Sequence, residues 1–139
     1  MTSNNERTLV LVKPDAYENA HEIEERYRRA GLTVCSHKTV TPNRKLIEEH
    51  YQDHIGKSFY EGTVEFMLSG EVFAIVIVGY NAIERVRELH GPTDPTKAKA
   101  GDIRYDFGGR KMPANAVHAS DSVESAEREI ALWFPGLAA

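Results

Sequence analysis

His118 occupies a position in the chain that suits covalent chemistry. It lies in a short apolar segment, residues 116–119, directly before a predicted helix that Asp121 and Glu124 open as a capping box. A helix N-terminus presents backbone N–H groups and positive potential to an anion, and a neutral imidazole is a good nucleophile near neutral pH. This placement favours attack on a phosphorus atom whose oxygens the helix helps to hold. The alternative, an ordinary histidine with satisfied hydrogen bonds, stays open on these grounds.

The other five histidines fall within helical or strand patterns, with no cysteine pair or H-E-x-x-H cluster beside them. A structural zinc site is therefore not predicted. These residues are His21, His37, His50, His54 and His90.

Phosphate groups would have to be bound by side chains. The chain has no G-x-x-x-x-G-K-[ST] motif, and the pair Gly108-Gly109 is a weak signal. For each charged candidate the alternative is a solvated surface position, the usual place for Lys and Arg. Lys13 is favoured because it directly follows an apolar strand. The candidate side chains are Lys13, Arg87, Thr93 and Arg104.

Tyr51 and Phe59 flank a break between two predicted helices. Their spacing favours positions in the core. The alternative is an aromatic clamp on a flat base, which needs only a ring face and is indifferent to the identity of the base.

The bulk composition excludes several classes of protein. With 139 residues, 41% of them hydrophobic and 27% charged, the chain is expected to form one domain over residues 1–139. No stretch approaches the roughly 18 apolar residues of a membrane span, and the polar first residues contain no signal core, so a cytoplasmic location is expected. Cys35 is the only cysteine, which excludes an internal disulfide. The net charge of −4 argues against nucleic acid as the main partner.

Hydrophobic periodicity and turn residues predict four strands and five helices. The strands are predicted at residues 8–12, 32–40, 72–78 and 116–119. The helices are predicted at residues 21–30, 41 to 50 or 51, 61–69, 82–90 and 121–133, with Thr41-Pro42 starting the second. The periodicity disappears over residues 92–115, and a loop this long inside a compact domain is usually functional or disordered. Its varied polar residues favour function; they include Arg104, Asp106, Arg110 and Lys111.

The order of these elements predicts an α+β fold. Without the inserted pair of helices, it is the split βαβ arrangement of a ferredoxin-like domain. The expected sheet is antiparallel with four strands, helices pack on one side of it, and a long irregular loop precedes the last strand.

Taken together, these residues resemble the nucleoside diphosphate kinase family over nearly the whole chain, from Glu6 to Phe134. The family fold is ferredoxin-like, in agreement with the order of elements. Five ordered blocks carry the resemblance. They are residues 6–16 (ERTLVLVKPDA), His50-Tyr51 with Lys57, Phe59 and Tyr60, Arg87 with Gly91-Pro92-Thr93-Asp94-Pro95, Ile103-Arg104 with Asp106-Phe107, and residues 115–130 (NAVHASDSVESAEREI).

The resemblance implies an enzyme that moves the γ-phosphoryl group of a nucleoside triphosphate, typically ATP, to a nucleoside or deoxynucleoside diphosphate. In a ping-pong mechanism, His118 would become phosphorylated and then pass the group to an acceptor bound at the same site. Glu129 would orient the His118 ring, Ser120 would assist on the donor side, and Phe59 would stack on the base. Phosphates and sugar would be held by Lys13, Tyr51, Arg87, Thr93, Arg104 and Asn115.

The resemblance also implies Mg²⁺, which would arrive with the nucleotide and be held mainly by phosphate oxygens and water. No residue is assigned as a direct metal ligand, and Asp121 is the candidate contact through water. Family members form dimers that often assemble further, so the resemblance implies a homo-oligomer of at least two chains.

The chain departs from the family pattern mainly in and around the long loop. His118, Asn115 and the cations are retained, so the activity is still expected, and the departures bear on the conformation of the loop and its subunit contacts. They are Tyr105 and Ala119 in place of glycine, Ala114 in place of a basic residue, Ser58 in place of proline, one extra residue between positions 106 and 118, and a shortened segment 17–21.

Three other functions compete with this one. A nucleotide-binding scaffold without catalysis is disfavoured because His118, Lys13 and Arg104 are all present. A binder of single-stranded nucleic acid is disfavoured by the acidic balance and the lack of a basic stripe. A phosphohistidine donor to other proteins shares the same chemistry and stays open as a side activity.

Overall fold

The computed structural model describes residues 5–109 and 111–137, so Arg110 of the long loop lies outside the described residues. The strands are β1 (Asn5–Val12), β2 (Thr33–Val40), β3 (Val72–Tyr80) and β4 (Val117–Ala119). The α-helices are α1 (Ala20–Arg29), α2 (Arg44–His50), α3 (Tyr60–Met67), α4 (Ala82–His90), α5 (Ile103–Phe107) and α6 (Val123–Trp133). Short 3₁₀ helices lie at Pro14–Asn19, Gln52–His54 and Pro95–Lys97. Within these described ranges, no helix is both long and apolar enough to cross a membrane.

The strands form one antiparallel sheet in the order β2-β3-β1-β4. The predicted α+β, ferredoxin-like arrangement with four antiparallel strands is therefore confirmed. Leu11 on the central strand β1 lies opposite His118 on β4. The backbone N–H of Lys13 also donates to the carbonyl of Ala116 at 2.8 Å. The end of β1 and the start of β4 are thus joined, which brings the two predicted site residues Lys13 and His118 to one end of the sheet.

Helices cover both faces of the sheet, and the prediction that they pack on one side is wrong. On one face, Val10 of β1 belongs to a core cluster with Tyr27 of α1. On the other face, Leu9 belongs to a second cluster with Trp133 of α6. Neighbouring side chains of a strand point to opposite faces. The unbroken, fully buried apolar run at residues 9–12 therefore requires cover on both sides.

Two helices are capped by residues other than the predicted ones. The side-chain oxygen of Asn43, rather than that of Thr41, accepts the backbone N–H of Leu46 at 2.8 Å and opens α2. Ser122, rather than Asp121, accepts the backbone N–H three residues on at 3.1 Å and opens α6. The predicted capping box at α6 is therefore wrong. Each error arises where two residues able to cap a helix stand within two positions of each other.

The loop predicted over residues 92–115 contains regular structure. It includes the 3₁₀ helix Pro95–Lys97 and the five-residue helix α5, so the expectation of a wholly irregular segment is wrong. Five residues make fewer than two helical turns, which is too short for an amphipathic period to show in the sequence. α5 carries Arg104 inward, where it is buried, whereas Tyr105 beside it is 39% exposed.

Candidate active site

A cavity of about 590 Å³ is bounded by β4, α6, the long loop and the connection between α2 and α3. Every predicted site residue except Ser120 lines it. The predicted residues on its walls are Lys13, Tyr51, Phe59, Arg87, Thr93, Arg104, Asn115, His118, Asp121 and Glu129. The structure therefore brings together side chains that are more than 100 positions apart in the chain.

His118 lies at the centre of β4 and is held from the side of α6. Its Nε2 lies 2.8 Å from Oε1 of Glu129, whose side chain is only 6% exposed. An ionised carboxylate only accepts hydrogen bonds, so Nε2 of His118 carries the proton and Nδ1 keeps its lone pair. The side chain of His118 is 19% exposed. The geometry leaves one ring nitrogen of His118 available as a nucleophile.

Ser120 contacts Glu129 on the buried side of this carboxylate. Its hydroxyl donates to the same Glu129 oxygen at 2.8 Å and accepts the backbone N–H of Leu9 at 3.2 Å. The residue is fully buried and does not line the cavity. The hydroxyl therefore positions the carboxylate that contacts His118, and the predicted role of Ser120 toward the donor stays a prediction.

Lys13 and Asn115 form a buried polar pair on the cavity wall. Nζ of Lys13 donates to Oδ1 of Asn115 at 2.7 Å, and the amide nitrogen of Asn115 donates to the carbonyl of Thr93 at 2.9 Å. Burial lowers the pKa of Lys13 to about 8, and the nearby positive charge of Arg104 adds to the effect. Lys13 is thus mostly protonated at neutral pH and would gain strongly from an anionic partner.

Arg104 is fixed by backbone carbonyls on two sides of the site. Its two terminal nitrogens donate to the carbonyls of Gly91 and Val117, each at 2.9 Å. Burial, followed by repulsion from Arg87, lowers the pKa of Arg104 to about 10, so the guanidinium stays charged. Arg87 itself projects from the last turn of α4 and is exposed. The cavity therefore combines a buried cation, Arg104, with an exposed one, Arg87, and no carboxylate of the described residues forms an ion pair with Arg104.

Tyr51 and Phe59 differ in burial, which separates the two interpretations of this aromatic pair. Tyr51 is 8% exposed and belongs to a core cluster, but its hydroxyl is buried without a partner among the described residues. Burial raises the pKa of Tyr51, so this hydroxyl stays a donor. Phe59 is 52% exposed although it lines the cavity. The expectation of two core residues therefore holds for Tyr51 and fails for Phe59.

Several cavity residues escaped the sequence reasoning. His50 lies with its ring centroid 4.5 Å from that of His118, and the two rings are nearly perpendicular. Met112, 47% exposed, lines the cavity from the long loop. Arg128 donates to the carbonyl of Glu49 at 3.1 Å and so joins α6 to α2. Of these three, His50 and Arg128 carried a signal, since both stand within the matching blocks of the sequence.

Two sets of side chains in the cavity bear on metal binding. Among the described residues, His50, His118 and Glu129 have potential ligand atoms within 4.8 Å of one another. Mg²⁺ prefers oxygen ligands, so this set with two imidazoles does not suit it. The exposed carboxylate of Asp121 on the same wall does. The donor set thus fits a Mg²⁺ ion that is held mainly by nucleotide phosphates and water.

The sequence model of the family described as nucleoside diphosphate kinase matches residues 6–138. This chain belongs to the nucleoside diphosphate kinase family. A nucleoside diphosphate kinase of Caldanaerobacter subterraneus subsp. tengcongensis is 48% identical over 134 residues, which cover 95% of this chain and 96% of that protein. One of Mycobacterium tuberculosis is 49% identical over 134 residues, which cover 94% and 98%.

Solved nucleoside diphosphate kinases share the fold. The Aquifex aeolicus enzyme superposes with a TM-score of 0.90 at 42% identity and covers 96% of this chain and 97% of its own. A halophilic enzyme from Halobacterium salinarum in complex with CDP superposes with a TM-score of 0.88 at 40% identity and covers 94% and 88%. Membership of the nucleoside diphosphate kinase family therefore rests on sequence and on structure alike.

Proposed function

We propose that this protein transfers the γ-phosphoryl group of a nucleoside triphosphate, typically ATP, to a nucleoside or deoxynucleoside diphosphate through a phosphohistidine at His118. The observation that carries the proposal is the orientation of the His118 ring. Its Nε2 is held by Glu129 at 2.8 Å, on a wall shared with Lys13 and Arg104. Nδ1 is then the nucleophile, beside cations that attract a phosphate group.

The reaction has two half-reactions at one site. In the first, Nδ1 of His118 bonds to the γ-phosphorus, and the bond from that phosphorus to the β–γ bridging oxygen breaks. The diphosphate leaves with that oxygen, and the imidazole ring keeps its Nε2 proton and becomes positively charged. Glu129 stabilises this charge through its contact with Nε2. In the second, a terminal oxygen of the acceptor attacks the phosphorus and the P–N bond breaks, which splits a difficult transfer into two easier ones.

Positioned cations supply most of the stabilisation that phosphoryl transfer requires. Lys13 and Arg104 are buried in the cavity wall and Arg87 is exposed beside them, so they can balance charge on the transferred group and the leaving oxygen. Because Arg104 is already held by two backbone carbonyls, it needs little reorganisation when substrate binds.

Neutral groups on the same walls would hold the rest of the nucleotide. The unpartnered hydroxyl of Tyr51 is a donor for a phosphate oxygen, and Thr93 and Asn115 are polar groups for phosphate and sugar. Phe59, exposed at the rim, would stack on the base. An aromatic face does not read the edge of a base, so the site would accept many bases.

Mg²⁺, when bound with the nucleotide, would neutralise part of the phosphate charge. Phosphate oxygens and water would supply most of its ligands. Asp121 would contact it through water from the cavity wall. Lys13, Arg87 and Arg104 would then balance the negative charge that remains on the phosphates.

We further propose that the chain acts in the cytoplasm as a homo-oligomer of at least two copies. β2 is an eight-residue strand at the edge of the sheet, and among the described residues it pairs only with β3. An open edge of that length offers backbone groups to a second chain. Cys35 is a free cysteine, which suits a reducing compartment. Light scattering at micromolar concentration is expected to give at least twice the mass of one chain, and a monomer would contradict the proposal.

The activity is tested by giving the purified protein thymidine diphosphate and Mg-ATP and following the nucleotides by chromatography. Rapid formation of thymidine triphosphate is expected. No product from folded protein that still binds nucleotide would overturn the proposal and leave a nucleotide-binding scaffold, disarmed by the departures at Tyr105 and Ala114. A radiolabel from γ-labelled ATP that stays on the protein, is lost in acid and is discharged by a diphosphate would identify the phosphohistidine.

A further inference from the structure

Asp15 is an acidic residue beside a site that must accept polyanions. It stands two positions after Lys13, in the 3₁₀ helix Pro14–Asn19. Its Oδ2 accepts the backbone N–H of Gly109 at 3.1 Å and that of Ala116 at 3.0 Å. Its other oxygen, Oδ1, is buried without a partner among the described residues. The negative charge of a carboxylate at this place disfavours phosphate binding. Its presence here therefore calls for another role.

The two N–H groups held by Asp15 mark the two ends of one segment of the long loop, residues 109–116. This segment carries Met112 and Asn115, which both line the cavity. Asn115 is also the partner of Lys13, at 2.7 Å. By accepting both N–H groups on a single oxygen, Asp15 ties the two ends together and limits where Asn115 can lie.

The C-terminal end of this segment, Ala116, has a strained backbone that such hydrogen bonds would stabilise. Ala116 has a φ of 72°, in the left-handed region, which costs a non-glycine residue about 1–2 kcal/mol. Its carbonyl accepts the backbone N–H of Lys13 at 2.8 Å, and its N–H donates to Asp15. Residues 13 and 15 thus hold Ala116 from both sides, one residue before β4 leads into His118.

The charge of Asp15 also acts on Lys13. Burial and the positive charge of Arg104 lower the pKa of Lys13, whereas Asp15 raises it. Asp15 is the acidic residue whose negative charge acts on Lys13 to favour its protonated form. The other charged or titratable groups around Lys13 are Arg104 of α5, His50 of α2, His90 of α4, and His118 and Glu129 across the cavity.

We propose that Asp15 is a positioning residue of the phosphoryl-transfer site, which fixes the backbone at Gly109 and Ala116, on either side of Asn115, and balances the charge of Lys13. The inference rests on the proposed function and adds a residue that does not line the cavity. It gives a role to an acidic side chain that lies next to the cations that attract the nucleotide.

Two variants separate the position of this carboxylate from its charge. Asp15→Asn keeps the shape and one acceptor oxygen but removes the charge; kcat/KM for thymidine diphosphate is expected to fall about tenfold or more, the loss expected when a charged acceptor becomes neutral. The alkaline midpoint of its kcat/KM profile is expected to move to lower pH, because Lys13 loses the anion that favours its proton. Asp15→Glu keeps the charge but displaces the oxygen, so it is expected to lose activity with its alkaline midpoint near the parent value.

Glu6→Gln is the matched control. Glu6 also accepts a long-range backbone N–H, that of Ile83 at 3.1 Å, but it lies seven residues before Lys13 on the same extended chain, about 23 Å away. Its variant is expected to keep the parent KM and pH profile. A merely structural role for Asp15 would make Asp15→Asn and Glu6→Gln alike.

Two measurements make the inference independent of turnover. Hydrogen exchange at the amides of Gly109 and Ala116 is expected to be faster in Asp15→Asn than in the parent. The titration of Lys13, followed by NMR of its side chain, is expected to shift to lower pH. Parent-like exchange and titration in Asp15→Asn would overturn the inference whether or not the parent is active, whereas an inactive parent with both changes would overturn only the proposed kinase activity.

Discussion

The indole N–H of Trp133 donates a hydrogen bond of 3.0 Å to Nδ1 of His50, which stands 83 positions earlier in the chain. An indole nitrogen only donates, so Nδ1 of His50 accepts and its proton sits on Nε2. Burial, together with the nearby His118, lowers the pKa of His50 well below its ordinary value. The ring next to His118 is therefore neutral in a fixed tautomer. A metal ion at Nε2 of His50 would move this proton to Nδ1. The N–H of Nδ1 would then face the indole N–H of Trp133, so two donors would lie opposite each other.

Replacing Trp133 by Phe tests this contact. The buried Nδ1 of His50 would lose its donor and the smaller ring would leave unfilled space, so the free energy of unfolding is expected to fall by about 2–4 kcal/mol. Urea unfolding followed by circular dichroism should show a lower midpoint at an unchanged slope. Phe134→Leu is the control, since it removes ring volume from a neighbouring buried residue without breaking a hydrogen bond. Equal losses in the two variants would mean that the hydrogen bond contributes little.

Replacing His118 by Gln tests the nucleophile. Turnover is expected to vanish while nucleotide binding stays nearly intact, because the ring forms the bond to phosphorus and Lys13 and Arg104 hold the phosphates. The measurements are the steady-state rate and the binding of a diphosphate by calorimetry. His21→Gln, an exposed histidine on α1, is expected to behave as the parent. If His118→Gln still turned over at a tenth of the parent rate, the mechanism would be wrong.

The lowered pKa of Lys13 predicts that activity depends on pH. Burial first, and Arg104 second, lower its pKa to about 8, so free enzyme loses this positive charge as the pH rises through 8. Since kcat/KM reports groups of the free enzyme, it is expected to fall above this pH. Lys45→Gln, which alters a lysine that is 84% exposed on α2, should keep the same profile. A flat profile from pH 7 to 9.5 would contradict the prediction.

The titration of Lys13 that lowers kcat/KM is expected to raise the free energy of unfolding as the pH rises. The ordinary pKa of lysine is 10.5, so between pH 8 and 10.5 the unfolded chain binds more protons at Lys13 than the folded chain. Stability rises with pH wherever the unfolded state binds more protons. The unfolding free energy of the parent relative to Lys13→Gln is therefore expected to increase over this range. A difference that is constant with pH would show that Lys13 titrates alike in both states.

The strands and helices with long apolar patterns were predictable, and their caps were not. Helix α4 was predicted at its observed bounds, and strand β3 was found two residues longer than predicted. A long buried apolar run can bury its side chains in only one way, so its position is marked in the sequence. Asn43 and Thr41 can both cap a helix, and tertiary contacts decide between them. The five-residue α5 is too short to leave a period in the sequence.

The candidate site was predictable where residues mark the ends of elements. Lys13 follows β1 and His118 lies in β4 before α6, and the structure places both on the cavity wall. His50 was missed because what makes it notable is its bond to Trp133, far along the chain. Ser120 lies directly after β4, and its hydroxyl donates to Glu129 instead of lining the cavity, so its role on the donor side stays a prediction.

Phe59 carries the last prediction, on base tolerance. Its ring is 52% exposed on the cavity rim, and stacking of a base on an aromatic ring contributes about 1–3 kcal/mol. Phe59→Ala is therefore expected to raise KM for diphosphates about tenfold or more. The factor should be similar for adenine, guanine, cytosine and thymine, because a ring face reads no hydrogen-bonding edge. At saturation kcat should change little, since the lost contact binds ground and transition states alike.

Ile55→Ala is the matched control for this prediction. Ile55 is an apolar residue of the same connection, 65% exposed, that does not line the cavity. Its variant is expected to keep the parent KM for every base. An effect of Phe59→Ala confined to one base would mean that the ring takes part in reading base identity. Equal effects of the two variants would mean that the ring acts only as exposed apolar surface and that another group carries the base.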